Sequence, residues 1–269
     1  MAKRIAVLGL GPTGSFAAKA ARDMGCEVDI FVNENNYKTP PGTFWLHWIP
    51  EDLKLSYKPV PIYIKGMGDE KYYIERQWGD LKSFVPDSSF PKQSVWEYGY
   101  DPSKVMEDLV PADCDVQVMS YPLSDTDIKD LAPSYDLVFQ TFATKESKEH
   151  QPPLVQFMVA AKLGNSDPSK NFVVYNGDKD DNIIVREAQL FGNHFLEFPK
   201  GINQEQILSH WPMDMTGYKV SMLKDLDPRT KPWQQPKGNI RLIGRWAQWD
   251  RKILSHHAYA IAQQMIGEL

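Results

Sequence analysis

The sequence predicts an α/β fold in which a parallel sheet carries an inserted, largely antiparallel α+β region. Three observations predict it. The chain opens on an apolar run, a glycine turn and an alanine-rich stretch, and it closes on an apolar run, a glycine and an amphipathic stretch. Between these ends lie short aromatic-rich runs of β type, punctuated by proline and glycine.

The opening unit carries the most specific signal. Residues 5–8 read as a buried strand, and Gly9, Gly11 and Gly14 follow as G-x-G-x-x-G. In that pattern the first glycine allows a tight turn, the second lets the backbone approach a pyrophosphate, and the third lets helix and strand touch. Pro12 and Thr13 open the helix, where a missing N–H is no loss and the free N–H groups face the phosphates. Ala17, Ala18, Ala20 and Ala21 give that helix a small-residue face, and residues 28–32 form a second strand. This is a Rossmann-type dinucleotide cradle. The acid expected on the ribose hydroxyls would fall at Val32; Glu34, next to Asn33, is the nearest one if the strand ends in a bulge. No arginine lies nearby, which argues against a ribose 2′-phosphate.

The next stretch departs from a simple βαβ pattern. Residues 42–50 form an apolar aromatic run containing Trp45 and His47. His47 is its one titratable group, either a ligand-facing donor and general acid or a satisfied core histidine. Residues 59–64 and 71–75 read as short strands, 101–110 as a helix and 116–119 as a strand. The run at 134–143 is a returning central strand whose end, at residues 141–144, opens over the cofactor crevice. Residues 172–175 and 183–186 flank a polar Asp-rich turn and form a hairpin. That turn lacks the ligand spacing of a calcium loop, and no metal site is expected. Residues 204–211 read as a helix and 218–223 as a strand. The final unit is a strand ending at Gly244 and Arg245, then one long helix that includes Trp246, Trp249, His256 and His257.

Composition bounds the rest. The chain has 269 residues, with 30 Lys+Arg against 35 Asp+Glu, so no global basic surface favours nucleic acid. Two distant cysteines, Cys26 and Cys114, suggest neither a disulfide framework nor a metal knuckle. With no leader pattern and no apolar run near the roughly 18 residues of a membrane span, a cytoplasmic protein is expected.

The two ends together resemble FAD-containing flavoproteins of the glutathione-reductase-like fold, in the branch of amine oxidases, protoporphyrinogen oxidase and UDP-galactopyranose mutase. The resemblance rests on Gly9, Gly11, Gly14, Gly244 and Arg245, over about the first 50 and last 30 residues plus the strand near Asp136. It implies FAD as cofactor, with the C-terminal Gly-Arg turn and Trp246 at the flavin end. It also implies a discontinuous FAD-binding domain of residues 1–50, 101–145 and 236–269, with a substrate or cap region of 51–100 and 146–235. The expected activity is oxidation of a C–N or C–H bond in a small polar, amine or amino-acid-like molecule. Trp45 and Trp249 would line the site, and His47 and His256 are the acid–base candidates. One subtype places the substrate as an amino-acid-modified thymidine in a bacteriophage DNA-modification pathway, the single reading that admits nucleic acid. A non-redox flavin enzyme of the mutase type and a non-catalytic dinucleotide-binding protein are the alternatives.

Overall fold

The computed structural model describes residues 2–34, 44–79, 90–110, 115–142, 154–164, 166–178, 183–210, 215–226, 235–236, 238–248, 250 and 252–269. In chain order the elements begin with β1 (Arg4–Leu8), α1 (Pro12–Asp23), β2 (Glu27–Asn33), β3 (Val60–Gly68), α2 (Glu70–Trp78), β4 (Val95–Gly99) and α3 (Pro102–Leu109). Then come β5 (Asp115–Met119), α4 (Asp125–Leu131), β6 (Leu137–Gln140), β7 (Leu154–Lys162), β8 (Phe172–Gly177), β9 (Arg186–Leu190) and β10 (Asn193–Glu197). The chain closes with α5 (Gln204–His210), β11 (Lys219–Leu226), β12 (Ile240–Leu242), α6 (Arg245–Gln248) and α7 (His257–Gly267).

These strands make two sheets. One is parallel throughout, in the order β12-β6-β1-β2-β5; the other is mixed, in the order β11-β7-β10-β9-β8-β3-β4. Side chains alternate across a strand, so β1 sends Ile5 and Val7 into a core with α1 and α7, and Ala6 and Leu8 into one with Ile128 of α4. Burial on both faces explains its unbroken apolar run. The fully buried alanines of α1 let it lie close to Ala258 and Ala262 of α7, and the Tyr259 hydroxyl donates to Asp23 at 2.7 Å. The mixed sheet is covered on one face by Tyr73, Ile74 and Trp78 of α2 and on the other by Ile207 of α5.

Several sequence expectations are corrected. Residues 71–75 belong to helix α2, because Asp69 caps its first turn through Tyr72 N at 3.1 Å and Tyr73, Ile74, Gln77 and Trp78 form one buried face. The second strand of the hairpin starts where it was expected to end: Tyr175 pairs with Arg186 and Phe172 with Gln189. No bulge closes β2, which runs regularly to Asn33 opposite Met119. The long C-terminal helix is two pieces, since α6 stops at Gln248 and α7 begins at His257, with a turn at Asp250 whose carboxylate accepts from Lys252 N. His256 therefore stands at the residue before α7, with no side-chain bond to the helix end, instead of lying inside one long helix.

Candidate functional site

Both ends of the chain meet at the glycine turn. Gly9 has φ +99°, a conformation that favours glycine, and a Cβ there would strike the Thr141 hydroxyl at the end of β6. Thr141 in turn donates to Leu8 O at 2.7 Å, closing that wall. A Cβ on Gly14 would collide with Gly9 O, so the third glycine lets helix and strand touch, as its place in the motif predicts. Gly11 differs: it is the N-cap of α1, and a Cβ there would meet nothing within 4 Å. On the other side, Gly244 has φ +89° and lies so close to Thr13 that any side chain would overlap it. The turn after β12 is thereby fixed beside the first turn of α1.

This arrangement fits a dinucleotide. Open space lies over the N-cap where a pyrophosphate would take the backbone N–H groups, and tight packing surrounds it at Gly9, Gly14 and Gly244. One helical turn beyond Gly244, the Gln248 side-chain oxygen is buried with no partner, an acceptor available to a ligand hydroxyl or N–H. Glu34 is exposed as the first residue beyond β2. Arg245 forms an ion pair with Asp225 of β11 at 3.7 Å, Trp246 is exposed, and Trp249 lies outside the described residues. Because α6 has four residues, it carries little macrodipole; Gly244 acts by close approach and not as the head of a long helix.

The segment after β2 links the two sheets. Leu46 exchanges backbone hydrogen bonds with Tyr100 at 3.2 and 3.0 Å and, with Ile49, enters the core around α1. Trp45 enters the core of the mixed sheet, its ring held against Gly99, where a Cβ would stand 2.5 Å from Cδ1. Only 8% of Trp45 is exposed, yet its indole N–H has no partner. His47 is exposed, 4.8 Å from the Trp45 ring between centroids, with Nδ1 3.2 Å from Glu97 Oε2. Donation from Nδ1 to that carboxylate leaves Nε2 as the free acceptor of the ring.

Trp45, His47 and Glu97 border a cleft of about 330 Å³ on the mixed sheet. Period-two alternation along β4 puts Val95 and Glu97 on its cleft side, while Trp96 and Tyr98 are 67% and 66% exposed. Tyr175 of β8 also lines it, seated against Arg186, whose guanidinium lies 5.5 Å from that ring. Burial opposes the charge on Arg186, but the Glu197 carboxylate, bonded to it at 2.6 to 3.0 Å, outweighs this and holds its pKa well above the usual value. Sequence reasoning named Trp45 and His47 but missed Glu97, Tyr175 and Lys92. The alternating Val95-Trp-Glu-Tyr-Gly99 was the available signal for Glu97.

His256 is a different kind of group from His47. It is 5% exposed, edge-on to Trp48 at 5.2 Å and to His257 at 4.5 Å. Burial first, then the neighbouring imidazoles of His257 and His47, lower its pKa to about 4. It is neutral at physiological pH.

A parallel sheet joined to a mixed sheet, with a glycine turn at the end of β1 leading into α1, is a Rossmann-type α/β architecture. Among solved structures, the chain is similar to tryptophan 6-halogenase SttH from Streptomyces toxytricini, with a TM-score of 0.54 and 8% identity over 100% of this chain and 73% of that one. It is also similar to the peptidyl tryptophan dihydroxylase QhpG, essential for tryptophylquinone cofactor biogenesis (TM-score 0.52, 12% identity, 100% and 72% covered). A third is a point variant of NikD, an unusual amino acid oxidase essential for nikkomycin biosynthesis (TM-score 0.50, 12% identity, 100% and 94% covered). At these identities the likeness defines the fold. No protein-family model matches the chain, and no curated protein sequence does. Among the described residues, no helix is long and apolar enough to cross a membrane, and no group of three metal-ligating side chains occurs.

Proposed function

We propose that this chain is an FAD-dependent oxidoreductase that takes hydride from a C–N or C–H bond of a small polar substrate, as amine oxidases do. The observation that carries the proposal is the contact of Gly244 with Thr13 beside the open N-cap at Gly11. It joins the last strand to the first glycine turn, as a cofactor spanning both would require. Bound FAD would supply the hydride-accepting chemistry. The protein supplies the rest. Backbone N–H groups of Gly11, Thr13 and Gly14 would hold the pyrophosphate, Glu34 would accept from the adenosine ribose, and Gln248 would offer its buried oxygen near the C-terminal turn. Residues 1–50, 101–145 and 236–269 form the cofactor unit, and 51–100 and 146–235 the substrate unit. On the substrate side, His47 is oriented by Glu97 and offers Nε2 as proton acceptor, while Trp45 closes the wall.

The test is anaerobic mixing of the FAD-loaded protein with small amines and amino acids, followed by absorption. Bleaching of the flavin band by a substrate, restored by an acceptor, supports the proposal. A mutase-type enzyme or a non-catalytic binder would leave the oxidised spectrum unchanged.

A further inference from the structure

β4 is an outer strand of the mixed sheet, bonded to β3 along one side. Along an antiparallel strand the backbone N–H and C=O groups point to the two sides in alternation, and in a directly bonded pair each residue gives an N–H. Pro61, which has none, stands opposite Tyr98, so Tyr98 is not bonded to β3. By the same alternation Trp96 also faces away, while Val95, Glu97 and Gly99 face β3. Tyr100 marks the outward side, since its N–H and C=O both bond Leu46, at 3.0 and 3.2 Å. Leu46 thus fills one place of an added antiparallel strand. The next two places, beside Tyr98 and Trp96, hold no backbone partner among the described residues. Nor does the edge carry the devices that usually prevent such pairing: no proline, lysine or bulge interrupts Val95 to Gly99.

The two faces of this edge differ. Trp96, packed on Tyr63 with ring centroids 5.1 Å apart, and Tyr98 are exposed on one face. Val95 and Glu97 lie on the other, at the cleft. A second copy of the chain is a poor occupant. Antiparallel pairing through both Trp96 and Tyr98 would set the two Glu97 side chains directly opposite, in a pair whose Cα atoms stand about 4.5 Å apart, and like charges so placed destabilise a sheet. A strand with lysine or arginine at that place turns the repulsion into attraction.

We propose that the outer edge of β4 receives an extended peptide as an added antiparallel strand, with a basic residue opposite Glu97 and β-branched or apolar residues on either side of it. The flanking residues exchange backbone hydrogen bonds with Trp96 and Tyr98 and lay their side chains against those rings, while the basic side chain lies on the cleft face beside Glu97. Such docking requires no cofactor.

The test is calorimetric titration of the full chain with the capped peptide acetyl-Thr-Val-Lys-Val-Thr-amide. Two controls are the same peptide with glutamate in place of lysine, and one N-methylated at both valines, which lacks the donors for Trp96 and Tyr98. The lysine peptide should saturate and bind about fivefold more tightly than the glutamate peptide, and the N-methylated peptide should not saturate. Glu97→Lys should reverse the preference. Tyr98→Pro removes an outward N–H that takes no part in the β3 ladder, a position where an edge strand tolerates proline, and should abolish binding. Should that variant fail to fold, the N-methylated peptide still decides, because it leaves the protein unaltered. The proposal is overturned if the lysine peptide does not saturate, if N-methylation leaves its affinity unchanged, or if the lysine and glutamate peptides bind alike. Sedimentation of the chain alone should show a monomer; a dimer dissolved by Tyr98→Pro would give the edge to a second copy and overturn the proposal.

Discussion

Gly14 has no room for a side chain, because Gly9 O occupies the place of its Cβ. Alanine at this position raises helix propensity but forces α1 away from β1, so Gly14→Ala should destabilise the fold by about 1–3 kcal/mol, seen as a lower denaturation midpoint. An unchanged midpoint would mean that the turn relaxes easily. Glu34 makes a binding prediction instead. It is exposed beyond β2, so its loss should leave folding intact while weakening FAD by roughly ten- to a hundredfold, the effect of removing a charged acceptor. A change below about threefold would move the ribose contact to Asn33 or the backbone. His256 adds a pH effect. Its pKa is about 4 in the fold against about 6.5 in an unfolded chain, so the unfolded state binds more protons between those values. Stability from this group is full above pH of about 6.5 and falls as pH drops towards about 4, by on the order of 3 kcal/mol. Urea titrations of His256→Phe over that window should show a flatter pH dependence than the parent protein; parallel curves would remove His256 as the cause.

At the scale of elements, what was legible in the sequence depended on how local its cause was. The β1-α1-β2 unit and the strand–glycine ends could be read because glycine spacing, burial on both faces and a small-residue helix stripe all act within a few turns of chain. Helix α2 was misread because its aromatic Tyr72 and Tyr73 carry β propensity, while the Asp69 cap and the packing of Trp78 on the mixed sheet decide the matter. Apolar spacing persists through the C-terminal stretch and predicts one continuous helix, but the Asp250 carboxylate takes the Lys252 N–H and interrupts it. The hairpin between β9 and β10 turns on Phe191 at φ +52° and Gly192 at φ +80°, and no usual turn dipeptide announces it. Within the site, Glu97 and Tyr175 approach Trp45 through β3, which pairs antiparallel with β4 and parallel with the distant β8; such pairings leave no local trace. Arg245 was assigned to the cofactor from its place after Gly244, and the fold ties it to Asp225 of β11. Arg245→Gln should therefore cost no more than about 1 kcal/mol of stability. It should also leave FAD affinity within about threefold. A tenfold loss of affinity, measured by equilibrium titration, would return the guanidinium to the phosphates.

Across the whole molecule, the segment from Trp45 to Ile49 couples the two sheets, with Leu46 in one core and Trp45 in the other. The cradle formed by the two chain ends and the cleft on the mixed sheet are thus parts of one folded unit. The central claim is that the open N-cap at Gly11 receives the pyrophosphate of FAD. Since a Cβ at Gly11 meets no protein atom and the backbone there is extended, Gly11→Val should fold normally and differ from the parent only where a ligand would lie. The most direct measurement is an FAD titration of both proteins followed by absorption and by flavin fluorescence. The account predicts saturable binding by the parent chain and none by folded Gly11→Val. Equal FAD affinity in the two proteins, or a parent chain that binds NAD and not FAD, would contradict it.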